Sequence, residues 1–197
     1  MSHLSHSRTA GPQEARQELR QEPHIVDPRV LRDACGLFAT GVNVIATRLG
    51  ARDHGMTANA FMSISLSPPL IAISIAEKAK MLPLIRESGR FTVSTLSADM
   101  EKLAWHFAGR PDPAFAFDAV FEELDGLPVV RRATAAFAAD VVQDIEAGDH
   151  AIFVGQVRAL RTAPERAPLV FFKGKFGEIA HQHPAPAALI GQVADKA

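Results

Sequence analysis

The run from residue 141 to residue 160 constrains the fold more than any other stretch. Residues 141–146 and 151–160 are β-forming, and Ala147-Gly148-Asp149-His150 between them is a turn, so the pair predicts a long antiparallel hairpin. That hairpin also decides the Ala-rich residues 133–140, which are locally ambiguous between helix and strand and read as strand once they lead into it. Elsewhere, residues 42–47, 70–75, 91–96 and 169–172 read as strands. The second of these is apolar almost throughout and is therefore expected to be central. The strands arrive mostly as hairpins with a few helices inserted. The expected architecture is mainly β with peripheral helices, an antiparallel barrel closed on itself.

Local signals place the helices. Asp27-Pro28 reads as an N-cap followed by proline at the first helical position. Leu31, Ala34, Cys35 and Phe38 then share one face of a helix expected to end near Gly41, with Cys35 as a small buried hydrophobe. A short helix over residues 81–88 tolerates Pro83 in its first turn and stops at Gly89. Ser97 caps a further helix whose face is Met100, Leu103, Ala104 and Phe107, with Trp105 and His106 off that face and Gly109 at its end. Residues 110–118, with two prolines and two phenylalanines, read as an ordered loop. Residues 1–24 form a polar arm without periodicity, residues 25–180 the domain, and residues 181–197 a Pro/Ala-rich tail.

Composition removes several function classes. Of 197 residues 47% are hydrophobic and 22% charged, a soluble globular balance. Lys plus Arg number 21 against 22 Asp plus Glu, which argues against nucleic acid or an anionic membrane as the main partner. No run of 18 apolar residues is present, and the N-terminus lacks the apolar centre of a secretory signal. The single cysteine, Cys35, cannot form an intramolecular disulfide and fits a reducing compartment, so the expected location is cytoplasmic. The eight histidines are scattered; His181 and His183 are the only close pair and lie in the tail, so no metal is expected. There is no Gly-x-Gly-x-x-Gly, no phosphate-binding P-loop and no Gly-x-Ser-x-Gly elbow.

What remains is the stretch Gly55-Met56-Thr57-Ala58-Asn59-Ala60-Phe61-Met62-Ser63-Ile64-Ser65-Leu66-Ser67-Pro68-Pro69. Glycine leaves room for something to approach the backbone, and Thr57 and Asn59 offer a hydroxyl and an amide across the small Ala58. Ser63, Ser65 and Ser67 alternate with Ile64 and Leu66, which predicts a strand with one polar face, ended by the two prolines. Such a face suits a flat hydrogen-bonding ligand; a plain solvated strand carries the same pattern. Lys78 and Lys80, just ahead of the helix at residue 81, are placed to meet a phosphate or to be two exposed loop lysines. His150 sits in a turn before a strong strand, which would hold it in place at the end of the barrel; a solvent-facing turn histidine fits the same pattern, and more commonly. The inventory favours an organic redox cofactor, bound by backbone and hydroxyls, over a metal or a catalytic triad.

Five segments in register, Phe38-Ala39-Thr40-Gly41-Val42, residues 55–69, Ser88-Gly89-Arg90-Phe91, residues 147–155 and residues 168–175, make the chain resemble the flavin reductase-like family with the FMN-binding split barrel. These are reductase partners of two-component flavin monooxygenases, and the likeness runs from about residue 28 to residue 180. The resemblance implies a homodimer with FMN or FAD at the barrel edge and NADH or NADPH as hydride donor. It implies reduced flavin passed to a monooxygenase, with hydride moving from nicotinamide C4 to flavin N5. It places Met56, Thr57, Ala58 and Asn59 against the isoalloxazine, Ser63, Ile64 and Ser65 along the ring and ribityl chain, and Ala76, Glu77, Lys78 and Lys80 at the phosphate, with Phe107 among the cofactor contacts. Relatives carry a serine near Ala79, so phosphate binding here rests on charge. His150 is the implied catalytic residue beside the nicotinamide, and Phe172, Lys173 and Gly174 the other nicotinamide-side segment. Lysine stands at 173 where arginine is common, and the usual Asp-Arg-Phe reads Asp112-Pro113-Ala114-Phe115. A flavin-binding electron carrier without reductase activity is the alternative that the same barrel and lip allow.

Overall fold

A computed structural model describes residues 26–113, 115 and 117–180. The chain divides into two compact units that meet between Phe38 and Ala39. In the first, α1 is Pro28–Cys35. Asp27 caps it as expected, its carboxylate accepting from the Arg29 and Val30 amides at 2.7 and 3.3 Å. Two expectations fail here. The helix stops at Gly36 rather than near Gly41, and Cys35 is exposed rather than buried. The apolar side chains of the predicted face are exposed with it, Phe38 at 76%.

The second unit is organised by the long hairpin, β9 (Ala135–Ala147) and β10 (His150–Thr162). Gly148 at φ 66° makes the two-residue turn between them. Around it a seven-stranded antiparallel sheet runs in the order β3-β2-β6-β9-β10-β5-β4. Its other strands are β2 (Asn43–Leu49), β3 (Arg52–Ala58), β4 (Phe61–Leu66), β5 (Pro69–Ala76) and β6 (Arg90–Thr95). The Ala-rich start of β9 is strand because it pairs on both sides, with β6 and with β10. The expected closed ring is not formed: β3 and β4 are the two edges of the sheet. A small sheet joins β1 (Thr40–Gly41), β11 (Val170–Phe172) and β12 (Lys175–Gly177).

Both faces of the sheet are covered, and β2 shows why Val44, Ile45 and Ala46 are apolar in succession. Ile45 enters one cluster with Ile73, Ile75, Phe91 and Phe153, closed by α2 (Met81–Ser88) through Ile85. Val44 and Ala46 enter a second cluster with Leu96, Leu103 and Val130. That side is closed by α3 (Glu101–Phe107), entered through a short 3₁₀ turn (Ala98–Met100), and by the hairpin β7 (Phe121–Leu124) and β8 (Leu127–Val130), with α4 (Phe117–Val120) leading in. The β7–β8 hairpin was not anticipated. Its turn, Asp125-Gly126 with φ of 52° and 77°, carries the Asp-Gly signal that marks such hairpins. It is clamped by Arg90, which donates to the Asp125 carboxylate and to Asp140, and by Thr92 Oγ1 donating to Pro128 O at 2.6 Å. Among the described residues no helix is long and apolar enough to cross a membrane.

Candidate functional site

The first group of candidate residues is assembled by strand register. β5 and β10 pair so that Ala76 lies opposite His150, and beyond the ladder the Glu77 amide donates to the Asp149 carbonyl at 3.0 Å. The loop holding Ala76, Glu77, Lys78 and Lys80 is thereby tied to the turn holding His150. Lys78 and Lys80 are exposed, and Lys80 stands at the N-terminus of α2 without a side-chain cap. The Leu82 amide is engaged by the Ala79 carbonyl at 3.1 Å and Pro83 has no N–H, so what this loop offers a phosphate is chiefly the charge of the two lysines. His150 Nδ1 lies 2.6 Å from Asp149 Oδ1, and the imidazole remains 43% exposed. The hydrogen bond from His150, ahead of its charge, holds the Asp149 carboxyl below the usual carboxylate range.

The second group differs from expectation in three ways. Gly55 does leave room, but a phenylalanine fills it: a Cβ there would lie 2.8 Å from Phe107 Cε1 and 3.2 Å from Phe121 Cζ. Phe107, an expected cofactor contact, is packed against β3 and against Phe121, ring centroids 5.5 Å apart. Thr57, on the same face of the strand as Gly55, spends its hydroxyl on the Ala104 carbonyl at 2.7 Å, pinning α3 to the sheet. Met56 and Ala58 face the other way and pack on the first core cluster. Of the four residues expected on the lip, Asn59 alone is exposed.

The third departure is in β4. Ser63 pairs with Ile71 but Ser65 pairs with Leu70, so Ile64 is the extra residue of a β-bulge. Ile71 and Leu70 point to opposite faces, and Ser63 and Ser65 follow them. The expected row of serines on one face is therefore broken, and Ile64 is exposed at 43%.

The third group is the β11–β12 hairpin. Lys173 and Gly174 form its turn with φ of 50° and 76°, and Lys173 Nζ lies 5.3 Å from the centre of the Phe172 ring. Beside the hairpin is an open depression of about 620 Å³ lined by Ala39, Val170, Phe172, Lys173, Lys175 and Phe176, among others. Its wall continues into Trp105, edge-on to Phe176 at 4.9 Å, with the Arg110 guanidinium 4.3 Å from the Trp105 ring centre. Aromatic walls and cations together suit a planar anionic heterocycle. Trp105 and Arg110 were not foreseen as part of it; their spacing across the end of α3, with the Arg110 amide donating to the Trp105 carbonyl at 3.1 Å, was the available clue. A second depression of about 620 Å³, lined by Arg90, Asp125, Asp140, Val157 and Arg158, differs because its charges pair with one another.

Register also measures how these groups stand apart. Phe61 pairs with Ile73, which pairs with Phe153. That is three residues along and two strands across from His150, about 14 Å at ordinary strand spacings. The β11–β12 hairpin is joined to the opposite end of the sheet, through the Val42 amide on Leu169 and the Leu96 amide on Val42. Adjacent Thr95 pairs with Ala135, at the far end of β9 from the turn, about 40 Å of strand contour away. One chain thus joins His150 to the phosphate loop and leaves the start of β4 within reach, while Phe172, Lys173 and Gly174 sit elsewhere. Among the described residues no cluster of three His, Cys, Asp or Glu could hold a metal, and His181 and His183 lie outside those residues.

Comparison with known proteins matches residues 35–180 to the model of the flavin reductase like domain. The reductase component of 4-hydroxyphenylacetate 3-monooxygenase from Thermus thermophilus is 42% identical over 142 residues, 72% of this chain and 90% of that protein. An NADH-dependent flavin reductase from a Rhodococcus species is 41% identical over 154 residues, 77% of this chain and 86% of its own length. Among solved structures, the flavin reductase PheA2 superposes with a TM-score of 0.74 at 47% identity, covering 79% of this chain and all of that one.

Proposed function

The chain belongs to the flavin reductase-like family, and from that premise we propose that it is an NADH-dependent flavin reductase feeding reduced flavin to a monooxygenase. The observation that carries the reading to this chain's own residues is the pairing of Ala76 with His150, which puts two exposed lysines and a hydrogen-bonded imidazole side by side. Bound flavin, FMN or FAD, supplies the two-electron acceptor for the nicotinamide hydride. Lys78 and Lys80 hold the flavin phosphate by charge at the α2 N-terminus, and His150 orients the nicotinamide. Phe172, Lys173 and Gly174 supply a wall and a cation on the nicotinamide side. No side chain has to give or take a proton for hydride to move; what the chain contributes is placement, whose extreme value is on the order of 7–11 kcal/mol.

We read the sheet as a split barrel. A flat seven-stranded sheet would hold its edges about 29 Å apart, yet β3 and β4 are joined by Asn59 and Ala60 alone, a reach of about 11 Å, so the sheet must roll. We also read the working unit as a homodimer. The edge strand β4 exposes Met62, Ile64 and Leu66, and a second copy brings its own β11–β12 hairpin to the loop and turn that one chain leaves without it. The composition and the lone exposed Cys35 fit a cytoplasmic protein.

The test is anaerobic mixing of protein, flavin and NADH. Loss of the oxidised-flavin absorbance, dependent on protein, is the expected result with FMN or FAD. Tight flavin binding with no bleaching by NADH or NADPH would leave an electron carrier and overturn the reductase.

A further inference from the structure

The turn that carries His150 holds a second functional group. Asp149 is tied down at two points: its carbonyl accepts from the Glu77 amide at 3.0 Å, and its carboxylate lies 2.6 Å from His150 Nδ1. An ionised carboxylate only accepts, so the bond between the two side chains places the hydrogen of a neutral imidazole on Nδ1 and leaves Nε2 as the bare acceptor. A neutral histidine side chain free in water favours the opposite tautomer. A carboxyl is ionised at neutral pH even at its ordinary value of 3.8, and the hydrogen bond with His150 holds that of Asp149 lower still. Its side chain is otherwise open to solvent, so the bond to His150 is the contact through which it acts.

We propose that Asp149 is a positioning residue, which holds His150 in the Nδ1–H form and turns Nε2 outward as an acceptor for the carboxamide N–H of the nicotinamide. This rests on the reading of His150 as the nicotinamide-side residue. The chemistry is specific: the other tautomer would set Nε2–H against that N–H, and the carboxamide would have to turn its carbonyl toward the ring, out of the orientation the Nδ1–H form selects, to keep a partner. Since the Glu77 amide bonds to the backbone of the same residue, the arrangement also fixes the ring relative to the loop that takes the flavin phosphate.

The tautomer is read by long-range nitrogen–hydrogen NMR on histidine-labelled full-length protein, the His150 signal being identified by its loss in His150→Gln. In the wild type, Nδ1 carries the hydrogen. Asp149→Ala, which keeps the backbone bond, shifts His150 to the Nε2–H form and raises the KM for NADH about tenfold, with the KM for flavin changed by less than about twofold. Asp149→Asn, whose amide oxygen still accepts from Nδ1–H, retains the wild-type form and most of the affinity for NADH. An Asp149→Ala protein that keeps the Nδ1 hydrogen, or that loses it while the KM for NADH stays within about twofold, overturns the proposal. The underlying assignment fails separately, if His150→Ala leaves the KM for NADH unchanged.

Discussion

Gly55→Ala discriminates between two reasons for a glycine at the head of the 55–69 stretch. A methyl group there would stand 2.8 and 3.1 Å from two carbons of the Phe107 ring and 3.2 Å from Phe121 Cζ. Carbon atoms rest at about 3.5–4.0 Å, so the nearest approach is about 0.7 Å too short. The ring cannot swing freely, because His106 stands edge-on to it at 4.9 Å and Phe121 lies beside it at 5.5 Å. Overpacking costs about 1–3 kcal/mol; Phe107 is only half-buried and can yield, so about 1–2 kcal/mol is expected, or about 2–8 °C in Tm for a chain of this size. In a Phe107→Ala background the two nearest contacts are gone and Phe121, at 3.2 Å, has the vacated space to shift into, so Gly55→Ala becomes neutral or slightly stabilising, since alanine suits a strand better than glycine. Thermal and urea unfolding of the four proteins, with flavin titrations alongside, measures the coupling. Additivity within about 0.5 kcal/mol would refute the steric account. So would a Gly55→Ala protein of unchanged Tm that no longer binds flavin, because the glycine would then serve the ligand.

A harsher test of the same logic lies in the core, where a Cβ at Gly155 would stand 2.6 Å from two carbons of the fully buried Phe91 and 2.9 Å from Ala139. Gly155→Ala should cost about 2–3 kcal/mol, more than Gly55→Ala, and the reverse ranking in urea unfolding would count against both. Asp99 gives a pH dependence of known sign. The Ser97 hydroxyl first, then Arg166, hold its carboxyl below the ordinary value of 3.8. A depressed carboxylate stabilises the fold above its unfolded pKa and loses that contribution as pH falls through the lower folded one. Asp99 is half exposed, so its contribution is screened to less than about 1 kcal/mol. Asp99→Asn should trail the wild type by that margin at pH 6–7 and converge with it only as pH falls from 3.8 through the lower folded pKa; a gap that persists once the carboxyl is protonated would contradict the ion-pair account.

How far the molecule was legible depended on how far apart the partners were along the chain. The helix Met81–Ser88, with Pro83 in its first turn and Gly89 at φ 66° after its last, appears where local rules put it. The Asp27 cap and the two-residue turn before His150 are equally local. Burial was less legible. The apolar stripe on α1 has the right period, yet Cys35 and Phe38 are exposed, because period reports which residues share a face and not whether anything covers it. The serines of β4 misled for a related reason: one inserted residue reverses the face of all that follow, and nothing in Ser63-Ile64-Ser65 marks the insertion.

The amino-acid sequence by itself determined the mainly β class, the hairpin with its turn, the Asp27 cap and the stop at Gly89, and the order of segments that marks the family. These rest on contacts within a few residues or on the recurrence of whole motifs. Only the tertiary structure decided that the sheet opens between β3 and β4, that the Thr57 hydroxyl bonds a carbonyl 47 residues on, and that the lysine loop lies against the His150 turn. Each depends on which distant strand supplies the neighbour. That choice is made by the whole core as it packs, since no single side chain carries enough free energy to make it alone.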